Sequence, residues 1–346
     1  MITGGCGFIG SHTCLIFLRK GYEVYVVDSF KNSSPESLKK TILILKKEGI
    51  NCEENLHIFN FDIRNENKID ALFLTAIENN RPIEAVIHFA GLKSVSESKL
   101  DPLFYWENNV VGTISLLNVM KKYNCKKIVF SSSATVYKFK SDNLLKESDS
   151  CDPINPYGNT KLTIENILSD LYKSAPSQWK IICLRYFNPV GAHESGLIGE
   201  NPLQNFNNIY PQITKVALGK QDKIKIFGSD WPTVDGTGVR DYIHVMDLAE
   251  GHLNALHYLT GQNPQIIRIN IGTGKGHSVL QLIKTFERAN NVKIPFSFED
   301  RREGDNAIVV ADNSLAKKLL NWEPKRNLTD ICKDGWNWQK KNPNGF

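Results

Sequence analysis

The chain reads as an α/β protein: a doubly wound parallel sheet followed by a smaller α/β substrate-binding domain. Three observations predict this. Short apolar runs alternate with segments of helical periodicity through the first half of the 346 residues. A glycine-rich segment, with Gly4, Gly7 and Gly10 at three-residue spacing, stands directly before the first helical segment. After about Phe187 the alternation stops, and glycine and proline become frequent over 189–211 and 228–238.

The strand-like runs, in order, are YEVYVV (22–27), HIFNF (57–61), AVIHFA (85–90), KIVFSSS (127–133) and 182–187 with Ile181 before it. They are short, β-branched or aromatic, and several are apolar almost throughout, as strands buried on both faces should be. Between them, 10–20, 34–48, 68–79, 108–123 and 155–174 carry apolar residues at three- and four-residue spacing, which predicts helices. Such alternation implies right-handed βαβ units and a parallel sheet covered on both faces. Residues 241–258 read as one further strand and helix returning to the first domain. The expected domains are therefore 1–187 with a return near 239–262, and 188–238 with 263–346.

Composition narrows the function classes. The 42 Lys and Arg against 37 Asp and Glu leave a net charge of only +5, which argues against nucleic acid as a partner. No apolar run is long enough for a membrane span, and no basic stretch leads into an apolar one at the N-terminus. Cys6, Cys14, Cys52, Cys125, Cys151, Cys183 and Cys332 are odd in number and form no C-x-x-C, so a reducing, cytoplasmic compartment is expected and no structural zinc. His252 and His257 are five apart and do not share a helical face, so no catalytic metal is expected.

The glycine spacing G-x-x-G-x-x-G, entering a helix, suits a dinucleotide. Glycines allow the tight turn and let backbone N–H groups at a positive helix end approach a pyrophosphate. Gly10 would let the helix lie close to the sheet. Asp28 ends the run 22–27, where a carboxylate would bond the adenosine ribose hydroxyls and repel a 2′-phosphate. A Rossmann-type fold binding NAD in preference to NADP follows, with Lys31 nearby as the one feature favouring a phosphate. Asp62 and Ile63, after another strand-like run, are candidate adenine contacts.

Tyr157 and Lys161 lie four residues apart, after Asn155 as N-cap and Pro156 at the first helical position. They therefore share a helical face. A free tyrosine near pKa 10 is a poor base at neutral pH, and a neighbouring ammonium favours the phenolate. Ser133 ends a strand-like run, where its hydroxyl could assist the same oxygen. Ser133, Tyr157 and Lys161 are the candidate catalytic residues.

Taken together, residues 3–10, Asp28, HFAGLK (88–93), SSSATVY (131–137), YGNTK (157–161), LRYFNPVGAH (184–193), GTGVRDYIHV (236–245) and RREGD (301–305) resemble the extended short-chain dehydrogenase/reductases. Within these they resemble the UDP-glucose 4-epimerases, and the resemblance covers nearly the whole chain. It implies interconversion of UDP-galactose and UDP-glucose by oxidation at C4, rotation of the 4-keto sugar and re-reduction, with a tightly held NAD. It implies that Tyr157 acts as base, Ser133 bonds the same oxygen, and Lys161 binds the nicotinamide ribose. Gly4, Gly7, Phe8, Ile9, Gly10, Asp28, Asn32, Asp62, Ile63, Phe89, Ala90, Gly91, Lys93, Asn108, Ser131 and Tyr186 would line the cofactor. Phe187, Asn188, Asn207, Asn208, Ile226, Phe227, Arg240, Tyr242, Arg302, Asp305 and Val309, with Lys93, Ser133 and Tyr157, would hold the UDP-hexose. A homodimer packed through 108–123 and 155–174 is also implied.

Three departures from the family pattern stand out. Only Met1, Ile2 and Thr3 precede Gly4, which suggests a chain that starts late in its first strand. Lys138 replaces a usual glycine, read as a surface change. Val309 stands where side-chain size gates the sugar pocket in the family, and its small side chain suggests that UDP-N-acetylglucosamine and UDP-N-acetylgalactosamine are also accepted. The alternatives are another NAD-dependent nucleotide-sugar epimerase, dehydratase or decarboxylase, or a catalytically silent dinucleotide-binding regulator. The segment after Ser133, Ala134-Thr135-Val136-Tyr137, lacks the carboxylates a dehydratase would use there. Retention of Ser133, Tyr157 and Lys161 together speaks against a silent protein.

Overall fold

In the computed structural model, residues 1–138, 144–201, 208–302 and 304–346 are described. The chain divides into two units: Met1–Lys138, Ser150–Arg185 and Ala249–Ile269 make the first, and the described residues within Phe139–Asp149, Tyr186–Leu248 and Asn270–Phe346 make the second.

The first unit is built on strands β1 (Ile2–Thr3), β2 (Val24–Asp28), β3 (Leu56–Asn60), β4 (Ala85–His88), β5 (Lys127–Ser133) and β6 (Lys180–Tyr186). Helices α1 (Phe8–Arg19), α2 (Glu36–Lys47), α3 (Glu66–Glu78), α4 (Val95–Leu100), α5 (Pro102–Tyr105), α6 (Gly112–Lys122) and α7 (Pro156–Ser174) alternate with them. The return segment supplies α9 (Val245–Gly261) and β11 (Gln265–Ile271). The sheet order is β3-β2-β1-β4-β5-β6-β11. The order in which strands are added therefore reverses between β1 and β4, while both pair in parallel with their neighbours: Thr3 opposes Val27 on one side and His88 on the other. In doubly wound sheets a ligand sits at the C-terminal ends of the strands flanking this switch point.

The elements form for identifiable reasons. β2 is Val-Tyr-Val-Val-Asp, buried throughout, and so needs no polar alternation. α7 begins where Asn155 accepts from the Gly158 N–H and Pro156 takes the first helical position. Phe73, Leu116, Phe130, Ile164, Leu168 and Trp179 close one apolar core between sheet and helices. Burial of each such side chain stabilises by roughly 1.5–3 kcal/mol.

Two expected elements differ. The helix expected over 108–123 starts earlier and is not uniform: Asp101 caps α5 at Pro102, Trp106–Val111 forms a π-helical turn, and α6 continues from Gly112. The periodicity of 108–123 does not reveal the one-residue expansion of that turn. The run 22–27 becomes Val24–Asp28, because Gly21 at φ +78° and Tyr22 still belong to the turn after α1.

The second unit contains β7 (Asn188–Val190), α8 (Ile209–Ala217), β8 (Ile224–Phe227), β9 (Val239–Arg240), β10 (Tyr242–His244), β12 (His277–Ser278), α10 (Val279–Asn290), β13 (Phe296–Glu299), β14 (Ile308–Val309), α11 (Ser314–Leu320) and α12 (Leu328–Lys341). Its strands form three small sheets, β10-β7, β12-β9-β14 and β13-β8. Tyr210, Ile213, Phe286, Ile331 and Trp336 anchor its own core.

Candidate active site

The glycine segment lies at the switch point. Gly4 takes φ +68°, and a Cβ there would come within 2.8 Å of the Ala90 nitrogen. A Cβ on Gly10 would collide with the Gly4 carbonyl and approach the Gly5 Cα to 2.7 Å. Only glycine fits these positions. α1 has no side-chain cap at Gly7 and no acidic residue in its first turn, so the N–H groups of its first turn have neither an intrahelical acceptor nor a capping side chain. That is the arrangement an anionic pyrophosphate needs.

Asp28 ends β2 and is buried. Its carboxylate accepts from the Cys6 N–H at 2.9 Å, the Phe30 N–H at 3.0 Å and the Ser33 hydroxyl at 2.7 Å. These bonds fix the carboxylate, and an ionised carboxylate still has acceptor capacity for ribose hydroxyls. Phe30 adopts φ +56°, a left-handed conformation held by its bond to Asp28. Lys31 is paired with Asp62 at 3.1 Å, so this cation, which could favour a 2′-phosphate, already has a partner. Asp62 is held well below the usual carboxylate range, chiefly by hydrogen bonds from Arg64. Ile63 is buried against the start of α6, and Asn32 is exposed.

Beyond β4, the Phe89 N–H donates to the Thr3 carbonyl and the Ala90 N–H to the Thr3 hydroxyl. Phe89 packs against His252, with ring centroids 4.7 Å apart. Gly91 and Lys93 are exposed, and the Lys93 ammonium lies 5.9 Å from the Phe8 ring centroid. Asn108 donates to the Phe104 carbonyl.

Sequence reasoning missed the neighbouring Asn109. Its amide accepts from the Leu92 N–H at 2.7 Å and donates to the Leu92 carbonyl and the Thr160 hydroxyl, each at 3.1 Å. The Thr160 hydroxyl in turn donates to the Tyr157 carbonyl. The only signal in the sequence was its place beside Asn108. The π-helical turn, which aims one asparagine inward, has no periodic signature. His88 bridges the hydroxyls of Thr3 and Thr113 within this buried chain of bonds. Burial foremost, then the Lys161 charge, lowers its pKa to about 3, so it is neutral.

Ser133, Tyr157 and Lys161 come together at the end of β5 and the start of α7. The Ser133 hydroxyl is close enough to the Tyr157 phenol to favour its ionised form. The Thr135 hydroxyl donates to the Ser133 hydroxyl at 3.0 Å. The buried Lys161 ammonium donates to the Ser131 carbonyl at 2.7 Å and lies 5.9 Å from the Tyr157 ring centroid. Without ligand, burial pushes Tyr157 up to about 12, opposed by the nearby Ser133 hydroxyl, and pulls Lys161 down to about 7.

In the second unit, Arg240 on β9 donates to the carbonyls of Val239 and Asn306 and lies 3.8 Å from Asp305. Val309 on β14 is buried and pairs with Arg240 in parallel register. The Arg302 guanidinium stacks 3.7 Å from the Phe227 ring centroid, next to buried Ile226. The Asn188 N–H donates to the Asp241 carbonyl. Tyr186 and Phe187 are buried, and Asn208 is exposed at the head of α8. Tyr242 packs in the core with its hydroxyl buried and without a partner among the described residues. Asn207 lies outside the described residues.

The fold and the serine–tyrosine–lysine constellation define an NAD-dependent enzyme of the extended short-chain dehydrogenase/reductase type. A family model described as GDP-mannose 4,6 dehydratase matches residues 1–335. A UDP-glucose 4-epimerase of Bacillus subtilis is 48% identical, with 100% of this chain and 98% of that protein covered. One from Dictyostelium discoideum is 47% identical over 100% of this chain and 97% of its own. Among solved structures, the UDP-glucose 4-epimerase of Bifidobacterium longum in complex with NAD⁺ and UDP superposes with a TM-score of 0.90 at 44% identity, covering 100% and 99% of the two chains. That of Stenotrophomonas maltophila, with bound NAD and formylated UDP-arabinopyranose, gives 0.92 at 43% identity over 98% and 97%. The chain belongs to the UDP-glucose 4-epimerase family. The residues after Ser133 agree with an epimerase rather than a dehydratase, since Ala134, Thr135 and Val136 offer no carboxylate.

Proposed function

We propose that the chain interconverts UDP-galactose and UDP-glucose, with Tyr157 as the group that removes and returns the 4-hydroxyl proton. The observation that carries this reading is the meeting of Tyr157, Ser133 and Lys161 at the end of β5, in a chain whose glycine segment opens a helix without a side-chain cap. Bound NAD supplies a hydride acceptor and donor at the sugar's C4. The first-turn N–H groups of α1, from Phe8, Ile9 and Gly10, would hold its pyrophosphate, and Asp28 its adenosine ribose.

The proton belongs to the chain. Each pKa unit by which phenolate formation is eased corresponds to about 1.4 kcal/mol. The Lys161 ammonium and the cofactor's positive charge supply this, since both stabilise a phenolate in a buried setting. Ser133 holds the reacting oxygen on the same side. Because the 4-keto sugar must present its other face before re-reduction, the nucleotide must be gripped and the hexose left loose. Arg240 and Arg302 suit the diphosphate, being forked donors already oriented by backbone carbonyls and by Phe227 respectively.

We further place Val309 at the hexose. Its small side chain favours acceptance of UDP-N-acetylglucosamine, and Val309→Tyr would remove that activity while sparing UDP-glucose. The enzyme is assigned to the cytoplasm, consistent with seven free cysteines, and no described helix is long and apolar enough to cross a membrane. It is assigned as a homodimer through α6 and α7, on the apolar side chains exposed near them.

The test is to incubate purified protein with UDP-galactose, without added NAD, and follow UDP-glucose. Turnover is expected, and Tyr157→Phe should abolish it while bound cofactor remains. Undiminished turnover in that variant would overturn the mechanism.

A further inference from the structure

One turn of α7 beyond Lys161 lies Glu165, with no exposed surface. Its carboxylate receives four bonds. The Ser132 hydroxyl donates at 2.6 Å, Arg185 donates through Nε at 2.9 Å and a terminal nitrogen at 2.7 Å, and Arg268 donates through Nε at 2.9 Å. These three partners stand on β5, β6 and β11, which are consecutive in the sheet. Arg185 is also buried, its guanidinium 4.7 Å from the Tyr137 ring centroid. One helical carboxylate is thus bonded by three neighbouring strands.

This cluster is a poor device for stability alone. Buried ion pairs recover little more than their desolvation cost, and a well-packed apolar side chain would serve as well. What they offer is direction. The apolar contacts of Ile164 and Leu168 hold α7 on the sheet but resist rotation weakly, and a slip of one residue turns a helix by about 100°. Four directed bonds do not tolerate such a slip.

The bonds also reach the reacting end. Positions 157, 161 and 165 share one face of α7, and each meets one residue at the end of β5. The Lys161 ammonium bonds the Ser131 carbonyl and Glu165 accepts from the Ser132 hydroxyl, while the Tyr157 phenol lies close enough to the Ser133 hydroxyl for that group to favour its ionised form. Ser132 and Ser133 are consecutive, so fixing one fixes the other.

We propose that Glu165 is a positioning residue for the epimerase reaction, setting the register of α7 against β5 and thereby the placement of Tyr157 and Lys161 relative to Ser133. This rests on the assignment of Tyr157 as the base. Glu165 lies about 12 Å along the helix from Tyr157, at 1.5 Å per residue, and touches neither substrate nor cofactor in this scheme.

The experiment compares wild type, Glu165→Gln, Ser132→Ala and Tyr157→Phe with UDP-galactose, recording kcat, KM, bound NAD and the pH profile of kcat. Glu165→Gln is expected to lower kcat at least tenfold and Ser132→Ala at least threefold. KM and bound NAD should stay within twofold, and the acid limb should move upward as Tyr157 loses its placement. If Glu165→Gln does not fold, Ser132→Ala decides, because it leaves both arginines paired with the carboxylate. A kcat within twofold of wild type in Ser132→Ala would overturn the proposal. So would a loss of kcat matched by an equal loss of bound NAD, which is loss of folded protein. Activity surviving in Tyr157→Phe would instead overturn the assignment of the base, whatever the other variants show.

Discussion

A tyrosine and a lysine buried together present an electrostatic problem that a ligand resolves. In the ligand-free chain Tyr157 stands near 12 and Lys161 near 7, each shifted toward its neutral form by burial. The reactive form is the phenolate, so kcat should rise with pH through the Tyr157 pKa. Lys161→Met removes a cation that favours the phenolate, so the acid limb of kcat should move to higher pH as kcat itself falls, by tenfold or more. An unmoved limb between pH 6 and 10 would show that Lys161 does not tune the base. Stability carries a second signature. Between about 7 and the ordinary 10.5, the unfolded chain binds a proton at Lys161 that the folded chain does not. Stability of cofactor-free protein should therefore rise with pH across that window, and Lys161→Met should flatten the rise in Tm. Spacing made Tyr157 and Lys161 legible in the sequence. Glu165, one turn further on, carried the same spacing but no chemistry of its own. Its importance comes from Ser132, Arg185 and Arg268, brought to it only by folding.

At the level of elements, the cofactor segment depends on two close approaches, and its glycines could be read because sterics leave no other choice. Gly10 is the more demanding. A methyl group there must displace the Gly4 carbonyl and the Gly5 Cα, both backbone and unable to swing aside. Gly10→Ala should therefore shift α1 away from β1, releasing bound NAD and lowering stability by a few kcal/mol, the range seen when cores are overpacked. Cofactor content after gel filtration and a thermal melt would measure both, and full retention of NAD would refute the steric argument. The strands flanking this segment were legible as continuous apolar runs. β1 was legible only as the stub that Met1, Ile2 and Thr3 leave before Gly4, because two residues carry no period, and its register follows from pairing with Val26–Val27 and Ile87–His88. β11 was missed for a different reason. Four of its seven residues are only half buried, so it lacks the apolar continuity that marked the other strands.

For the whole molecule, the question is what covers the apolar side chains that neither core absorbs. Each unit closes its own core, yet Leu100, Leu103, Val111 and Ile114 remain 86%, 79%, 48% and 40% exposed. They gather on α4, α5, the π-helical turn and α6, and Val111 and Ile114 are three apart on one helical face. Scattered exposed leucines need no explanation, but a cluster on consecutive helices is the kind of surface that marks an interface. A second copy of the chain is the partner we assign to it. A twofold interface is self-complementary, so one apolar helix can pack on its own symmetry mate, and a stable pair would cover roughly 600–1,000 Å² on each chain. Wild-type protein should therefore sediment as a dimer at micromolar concentration. Val111→Glu with Ile114→Glu should give a folded monomer, because each carboxylate would meet its own symmetry mate in an interface without water. Sedimentation equilibrium on both proteins, with far-ultraviolet circular dichroism to show folding, decides the matter. A monomeric wild type, or a variant that still pairs as tightly, would remove this surface as the dimer contact.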